Sequence, residues 1–418
     1  MTIDALKQEA CDLIEGLKAD LLGVSHKIHA TPEIAFEERF ASQLLCSVAE
    51  CEGIQMTRGA YGIETAFAGE FGKTDVPRVA VISEYDALPG LGHACGHNVI
   101  ATAGLGAVLA LYRMRERLPG AVRYLGTPAE ERGCGKEIMA RNGAFEGVEA
   151  AMMVHPAGIN VKALRCICIS EATVVYTGRA AHAAVFPEMG LNALDAITLS
   201  YQAIAQLRQH IRSSERIHGV ITAGGVAPNT VPDSTTAIYF VRAADAEALA
   251  KLKPRVQACF DAGALASGCT VDVQWSPVDY LDMVVNEPLA DAYVVNATRL
   301  GRCGFVPYER LPLAGSDMAN VSHRVPVLHP LISMSPPNVM LHDPEFATWA
   351  RSEEGDKTAI DGAKALAMTA IDYFCRPELR EDVSNAFKQT ASHRQKTLEI
   401  ACGQSLTVVP AAHLKRRT

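Results

Sequence analysis

Arg78-Val79-Ala80-Val81-Ile82-Ser83 is followed by Asp86-Ala87-Leu88-Pro89-Gly90-Leu91-Gly92-His93-Ala94-Cys95-Gly96-His97-Asn98. The first run is apolar and rich in β-branched residues, which marks a short buried strand. A helix is expected over 98–117, and Ala121-Val122-Arg123-Tyr124-Leu125-Gly126 reads as the next strand. Strand, loop, helix and strand in that order form a βαβ unit, which builds a mostly parallel sheet covered by helices. Downstream, a helix over 134–142 leads to a third strand, Ala150-Ala151-Met152-Met153-Val154. Upstream, Leu6, Leu13, Leu17, Leu21, Val24 and Ile28 repeat at helical spacing over 4–29, and Thr31-Pro32-Glu33 ends the pattern. Another helix is expected over 38–51.

From about residue 168 the rhythm changes. Strands over 171–177, 218–223, 235–242 and 270–278, with helices over 191–211 and 246–262, give the order βαββαβ of a ferredoxin-like α+β domain. A helix over 288–300, a loop at Gly315-Ser316-Asp317 leading into a helix, a strand over 327–334 and a helix over 360–374 then resume the first pattern. The expected fold class is therefore α/β, with an inserted second domain. A discontinuous catalytic domain takes 1–167 and 283–385, the insertion takes 168–282, and 386–418 forms a peripheral helix or frayed tail.

The chain has 418 residues, room for more than one core when domains run to about 100–200 residues. Its 49% hydrophobic, 21% charged and 6% aromatic composition is that of a globular protein and excludes disorder and low complexity. A net charge of −8, with cations scattered except for Lys415-Arg416-Arg417, offers nucleic acid no footprint. The longest apolar run, 99–112, is broken by Gly104 and Gly106 and is shorter than the roughly 20 residues of a membrane span. It reads as a buried helix. Asp4, Glu9, Asp12 and Glu15 stand where an export signal would be basic and then apolar, so a cytoplasmic address is expected. Twelve cysteines include no Cys-x-x-Cys pair, and most are expected reduced and buried.

The loop 86–98 follows a strand, where ligands of open α/β sheets bind. Cys95 and His97, either side of a glycine, can face one metal ion, or can be a buried cysteine beside a helix-capping turn. Glu130 and Glu131 in Thr127-Pro128-Ala129-Glu130-Glu131 follow the next strand. One of two adjacent carboxylates can hold a metal while the other serves as general base, although an acidic helix start has the same composition. The third strand ends in Val154-His155-Pro156, and His342, in Leu341-His342-Asp343-Pro344-Glu345-Phe346, comes once the sheet resumes. Cys95, His97, Glu131, His155 and His342 are five donors. That is too many for one tetrahedral zinc and suits two metals sharing a bridge.

These motifs, together with Asp86-Ala87-Leu88-Pro89, Gly178-Arg179-Ala180-Ala181-His182-Ala183, Gly224-Gly225 through Asn229-Thr230-Val231-Pro232, and Gly315-Ser316-Asp317, resemble the M20 metallopeptidase family over roughly 20–375. Within it the chain is similar to the amidohydrolase branch, M20D, of aminobenzoyl-glutamate, hippurate and auxin-conjugate hydrolases. The resemblance implies two divalent ions per subunit, Mn2+ or Zn2+, with Cys95 as bridging ligand and His97, Glu131, His155 and His342 completing the set. It implies Glu130 as general base and acid and Asp86 as the support of a ligand histidine. It also implies that the inserted domain is a lid carrying the contacts of a homodimer. His182 would reach the oxyanion in the partner's site, and Asn229, Arg242 and Ser316 would contact the substrate. Asn98 departs from the aspartate of many relatives, and Ala350-Arg351-Ser352-Glu353-Glu354-Gly355 is more charged than expected. Cys134, Cys166 and Cys168 are expected to be packing residues, and His26 and His29 a surface feature.

The activity so implied is hydrolysis of the C–N bond of an N-acyl or N-aroyl amino acid or small dipeptide. Water activated by the metals attacks, Glu130 moves the proton, and the lid hinges near 168 and 282. Two alternatives compete: hydrolytic deamination of an activated aromatic amine such as 5-nitroanthranilate, releasing ammonia, and a non-enzymatic binding protein of the same fold.

Overall fold

The structure is a computed structural model that describes residues 2–310 and 314–402. Its contacts divide the chain into two units. The first runs to Cys166 and resumes from Met283 to Gln395; the second is Ile167–Asp282, with residues 396–402.

The expected opening helix is two: α1 (Ile3–Gly16) and α2 (Lys18–Ala30). The break lies at Leu17, with φ −92° and ψ −1°, whose N–H still reaches Leu13 O and Ile14 O, so the apolar stripe continues across it. Then come α3 (Arg39–Cys51), β1 (Met56–Arg58), β2 (Phe67–Gly72), β3 (Arg78–Glu84), α4 (His97–Arg113), β4 (Ala121–Thr127), α5 (Gly135–Arg141), β5 (Ala150–Met152) and β6 (His155–Ala157). The second unit holds β7 (Cys168–Thr177), α6 (Ala193–Leu207), β8 (Arg216–Ala223), β9 (Ser234–Ala243), α7 (Ala246–Ser267) and β10 (Thr270–Trp275). The first resumes with α8 (Glu287–Arg299), α9 (Met318–Ser322), β11 (Val327–Leu328), β12 (Leu331–Ser333), α10 (Pro344–Trp349), α11 (Glu353–Cys375) and α12 (Pro377–Gln389), and α13 (Ala391–Cys402) follows, assigned to the first unit up to Gln395 and to the second from Lys396. The tail expected over 386–418 is thus helical as far as Cys402, and its basic end lies outside the described residues.

In the first unit the sheet order is β1-β2-β4-β3-β5-β11. Strands β4, β3, β5 and β11 are parallel, while β2 and β1 add antiparallel strands at one edge. The third expected strand is shorter than its apolar run. It stops at Met152, and His155 opens a separate parallel pair, β6 with β12. The strand expected over 327–334 divides at the same level because Pro330 has no N–H to give a ladder; its carbonyl accepts from His155 N at 3.0 Å.

Helix α4 is buried from His97 to Leu111. It lies so close to β3 that a Cβ on Gly104 would come within 2.5 Å of Ser83 Oγ and 2.6 Å of Ile82 O. Ser83 Oγ also donates to Ala101 O at 2.8 Å. The charged turn after His342 has a local cause: Ser352 caps α11, and Glu353, Glu354 and Asp356 occupy its first turn, where carboxylates face the helix N-terminus. His26 and His29, expected at the surface, are half-buried and pair with Asp356 and Ala347 O, each at 2.7 Å.

The second unit is a four-stranded antiparallel sheet in the order β10-β7-β9-β8. Helices α6 and α7 enclose its core, in which Tyr176, Tyr239 and Phe260 are buried. Among the described residues no helix is long and apolar enough to cross a membrane.

Candidate metal centre

The carboxyl ends of the parallel strands bring the donors together. Strand β3 ends at Glu84, two residues before Asp86, and the following loop places Cys95 just before His97, the first residue of α4. Strand β4 leads into Glu130 and Glu131, while His155 opens β6. His342 has a φ of +67° and anchors its own N–H on Ala94 O at 2.9 Å, which fixes it beside the Cys95 loop.

Donor atoms of Cys95, His97 and His155 all lie within 4.8 Å of one another, as do those of Cys95, Glu131 and His342. Cys95 belongs to both triplets. Its Sγ is 3.6 Å from His155 Nε2, and His342 Nε2 is 3.3 Å from Glu131 Oε2. His155 Nδ1 sits 2.8 Å from Pro156 O, which must accept a proton, so the Nε2 lone pair faces the thiol. His97 Nδ1 is 3.0 Å from Asp86 Oδ1, and Asp86 Oδ2 accepts from Glu131 N at 2.9 Å. Asp86 therefore orients one donor from each triplet.

Burial opposes charge throughout this cluster, and neighbouring groups decide the outcome. Burial works against a charged His97, but Glu84 and Asp86 overcome it and hold its proton affinity well above that of ordinary imidazole. Burial, reinforced by Glu84, Glu131 and Asp317, pushes Glu130 well above the carboxylate range. Glu131 is also desolvated, yet His342 and His97 bring it down. Burial and then Glu131 push the Cys95 thiol up, while burial and His97 lower His155 to about 4.

Three charged residues that sequence analysis gave no role complete the surroundings. Lys136, fully buried, donates from Nζ to Glu84 Oε2 and, at 2.7 Å, to Asp317 Oδ1; its backbone N–H meets Asp317 Oδ2 at 2.8 Å. Glu84 Oε1 is left 3.1 Å from His97 Nε2, and Glu84, His97 and Glu130 form another cluster of possible ligands. A glutamate closing an otherwise apolar strand was the available signal. His329, just after β11, was also missed: it is 3% exposed, its ring lies edge-on to His155 at 5.9 Å, and neither ring nitrogen has a hydrogen-bond partner.

The donor set fits divalent cations. His97 Nε2, Glu84 Oε1 and Glu131 Oε1 are buried and face one another at 3.1 and 3.8 Å without a well-aligned hydrogen bond, and the Lys136 ammonium pairs with Glu84 and Asp317. Thiolate, imidazole and carboxylate together suit zinc and its neighbours in the first transition row.

The remaining proposed residues belong to neither donor triplet. Ser316, buried at the start of α9, accepts from Met318 N at 3.2 Å. In the second unit, His182 is exposed and pairs with Thr230 in an isolated bridge, and Asn229 O accepts from Ala183 N at 3.0 Å. Arg242 on β9 gives its Nε–H to His218 Nε2 at 3.0 Å. Asn98 is structural, donating to Ser25 Oγ and Ala350 O, both at 2.9 Å. Cys134, Cys166 and Cys168 are buried.

Comparison with known proteins agrees with this architecture. Residues 169–267 match the peptidase dimerisation domain family. The chain is 38% identical over 402 residues to the Xaa-Arg dipeptidase of Mus musculus, covering 92% of this chain and 93% of that one. It is 34% identical over 285 residues to one of the p-aminobenzoyl-glutamate hydrolase polypeptides of Escherichia coli, with 63% and 59% covered. Among solved structures, a dinuclear metal binding peptidase from the M20 family of Bacillus subtilis superposes with a TM-score of 0.60 at 21% identity, over 86% of this chain and 99% of that one. With the converging donors and the two-unit fold, these likenesses place the chain in the M20 family, in its M20D-like branch, as a metal-dependent amidohydrolase.

Proposed function

We propose that this chain hydrolyses the amide bond of a small dipeptide or of an N-acyl or N-aroyl amino acid. Xaa-Arg dipeptides are the first to test, because the relative that carries that name is alike over nearly the whole length. The observation that supports the reading most is the pair of donor triplets sharing Cys95, with Glu130 in the adjoining cluster.

In this proposal Cys95, His97, His155, Glu131 and His342 would hold two divalent ions, Cys95 being the donor common to both triplets. The donors leave Mn2+ and Zn2+ both open: the thiolate favours zinc and the carboxylates accommodate manganese. Such ions, when bound, lower the pKa of a water towards neutrality and polarise the amide carbonyl. Asp86 holds His97 by Nδ1 and so keeps Nε2 turned to the centre. Glu130 takes the proton of the attacking water and returns it to the departing nitrogen, a step its raised proton affinity favours.

His182 is proposed to donate to the developing oxyanion of the partner subunit. Its Nδ1 accepts from Ala184 N at 3.3 Å, which leaves the proton on Nε2. Asn229, Arg242 and Ser316 are proposed to contact the substrate, the Arg242 guanidinium being suited to a carboxylate. The homodimer is proposed to form through the second unit, whose edge strand β8 carries the exposed Val220.

The test is to incubate the purified chain, loaded with either metal, with Xaa-Arg dipeptides, N-acetyl and N-benzoyl amino acids and activated anilines, and to follow free amino acid and ammonia separately. Amino-acid release from the first two classes is expected. Ammonia without amino acid would replace the proposal with deamination.

A further inference from the structure

We infer that Glu38 is a positioning residue for Glu130, acting through the backbone of Ala129. The inference rests on the proposed role of Glu130 as proton carrier. Ala129, between β4 and the Glu130-Glu131 pair, is buried with a φ of +61°. For a residue with a Cβ that conformation is unfavourable and persists only where the surroundings hold it.

Glu38, immediately before α3 and fully buried, supplies the hold. Its Oε1 accepts from Ala129 N at 2.8 Å and from Phe36 N at 3.0 Å, while Thr65 Oγ1 donates to Oε2 at 2.9 Å. Phe36 is itself left-handed, with φ +63°. One carboxyl oxygen thus satisfies the N–H groups of two strained residues far apart in sequence, Phe36 and Ala129.

The grip extends along the loop. A Cβ on Gly133 would meet the Phe36 ring at 2.4 Å, so the ring lies directly on that backbone. Gly135 N donates to Ala129 O at 3.3 Å. From the other side Asp86 Oδ2 takes the N–H of Glu131. The residues before and after Glu130 are therefore each fastened by their N–H to a buried carboxyl, Glu38 and Asp86, carried on separate segments. The direction of the Glu130 side chain is set by those two anchors.

Glutamine at 38 keeps the acceptor for both N–H groups and can donate to Thr65 Oγ1, whereas alanine removes it. The experiment measures kcat, KM, bound metal and Tm for Glu38→Gln, Glu38→Ala, Ala129→Gly and the double variant Glu38→Ala/Ala129→Gly, with Glu130→Gln as control. Glu38→Gln is expected to stay within about threefold of the parent kcat, and Glu38→Ala to lose about 10–100-fold in kcat with KM and metal content little changed. Glycine at 129 adopts the left-handed conformation unaided, so the double variant should recover much of that loss.

A Glu38→Ala enzyme with lowered Tm but parental kcat would overturn the inference, as would a kcat loss that Ala129→Gly does not relieve. If Glu38→Ala does not fold, Glu38→Asp, which withdraws the same carboxyl by one methylene, is judged by the same two criteria. Parental activity in Glu130→Gln would instead reject the assignment of Glu130, an outcome separate from either of these.

Discussion

Asp86 Oδ1 lies 3.0 Å from His97 Nδ1, with both side chains fully enclosed. The contact sets the orientation of the ring, with Nδ1 turned to Asp86 and Nε2 towards Glu84 Oε1, 3.1 Å away. Asp86→Asn retains the shape but removes the charge, and its single amide oxygen can replace only one of the two acceptors that face His97 Nδ1 and Glu131 N, the NH2 end being a donor. Metal affinity is expected to fall about 10–100-fold. Competition against a chromophoric chelator measures it, and an unchanged affinity would show that His97 needs no support from this side.

Glu130 stands among Glu84, Glu131 and Asp317, an environment that favours its proton-bearing form. Glu130→Gln is nearly isosteric with that form but cannot cycle. A loss of about 10²–10⁴-fold in kcat is expected, with metal content unchanged by elemental mass spectrometry. Turnover near the parental rate would place the base elsewhere.

Lys136 is the buried counter-charge of Glu84 and Asp317. Lys136→Met leaves both carboxylates without it, and breaking such an enclosed pair costs about 3–5 kcal/mol. Denaturant titration should show that loss, and adding Glu84→Gln should restore part of it. A Lys136→Met chain as stable as the parent would mean that the two carboxyls take up protons at no cost.

Burial first, and then Asp86, raises the Glu38 carboxyl to about 8 from a reference of 4.5. The folded state then keeps a proton that the unfolded chain has released. Glu38 therefore contributes stability that is whole below pH 4.5 and is lost as pH rises through about 8. The neighbouring Tyr85 is itself held far above the phenol range, by burial foremost, and so stays neutral in this window. Urea titrations at about pH 5.5 and pH 7.5 should show Glu38→Gln losing less stability over the interval than the parent, by up to about 1.4 kcal/mol per pH unit. Parallel curves would contradict it.

The β3-loop-α4-β4 core was legible because an unbroken apolar strand and a long apolar helix with glycine punctuation leave few other arrangements. The convergence of the five candidate donors was legible because each follows a strand or sits in a dense motif. What could not be read had tertiary causes. Strands β1 and β2 are short and half exposed, with no strong period. The turn from β5 into β6 depends on Pro330, far along the chain. Lys136 has partners 52 and 181 residues away, and Glu38 reaches one 91 residues away, so neither residue announces itself locally.

The close approach of Gly104 to Ile82 and Ser83 also governs how the enzyme fails. Asp86, two residues past β3, and His97, the first of α4, extend from a strand and a helix that touch backbone to side chain and backbone, with no cushioning layer between them. Their separation cannot drift without parting α4 from the sheet, which opens the core as a whole. Heat inactivation should therefore coincide with loss of the fold, and slow amide exchange in α4 should report the same event as the disappearance of activity.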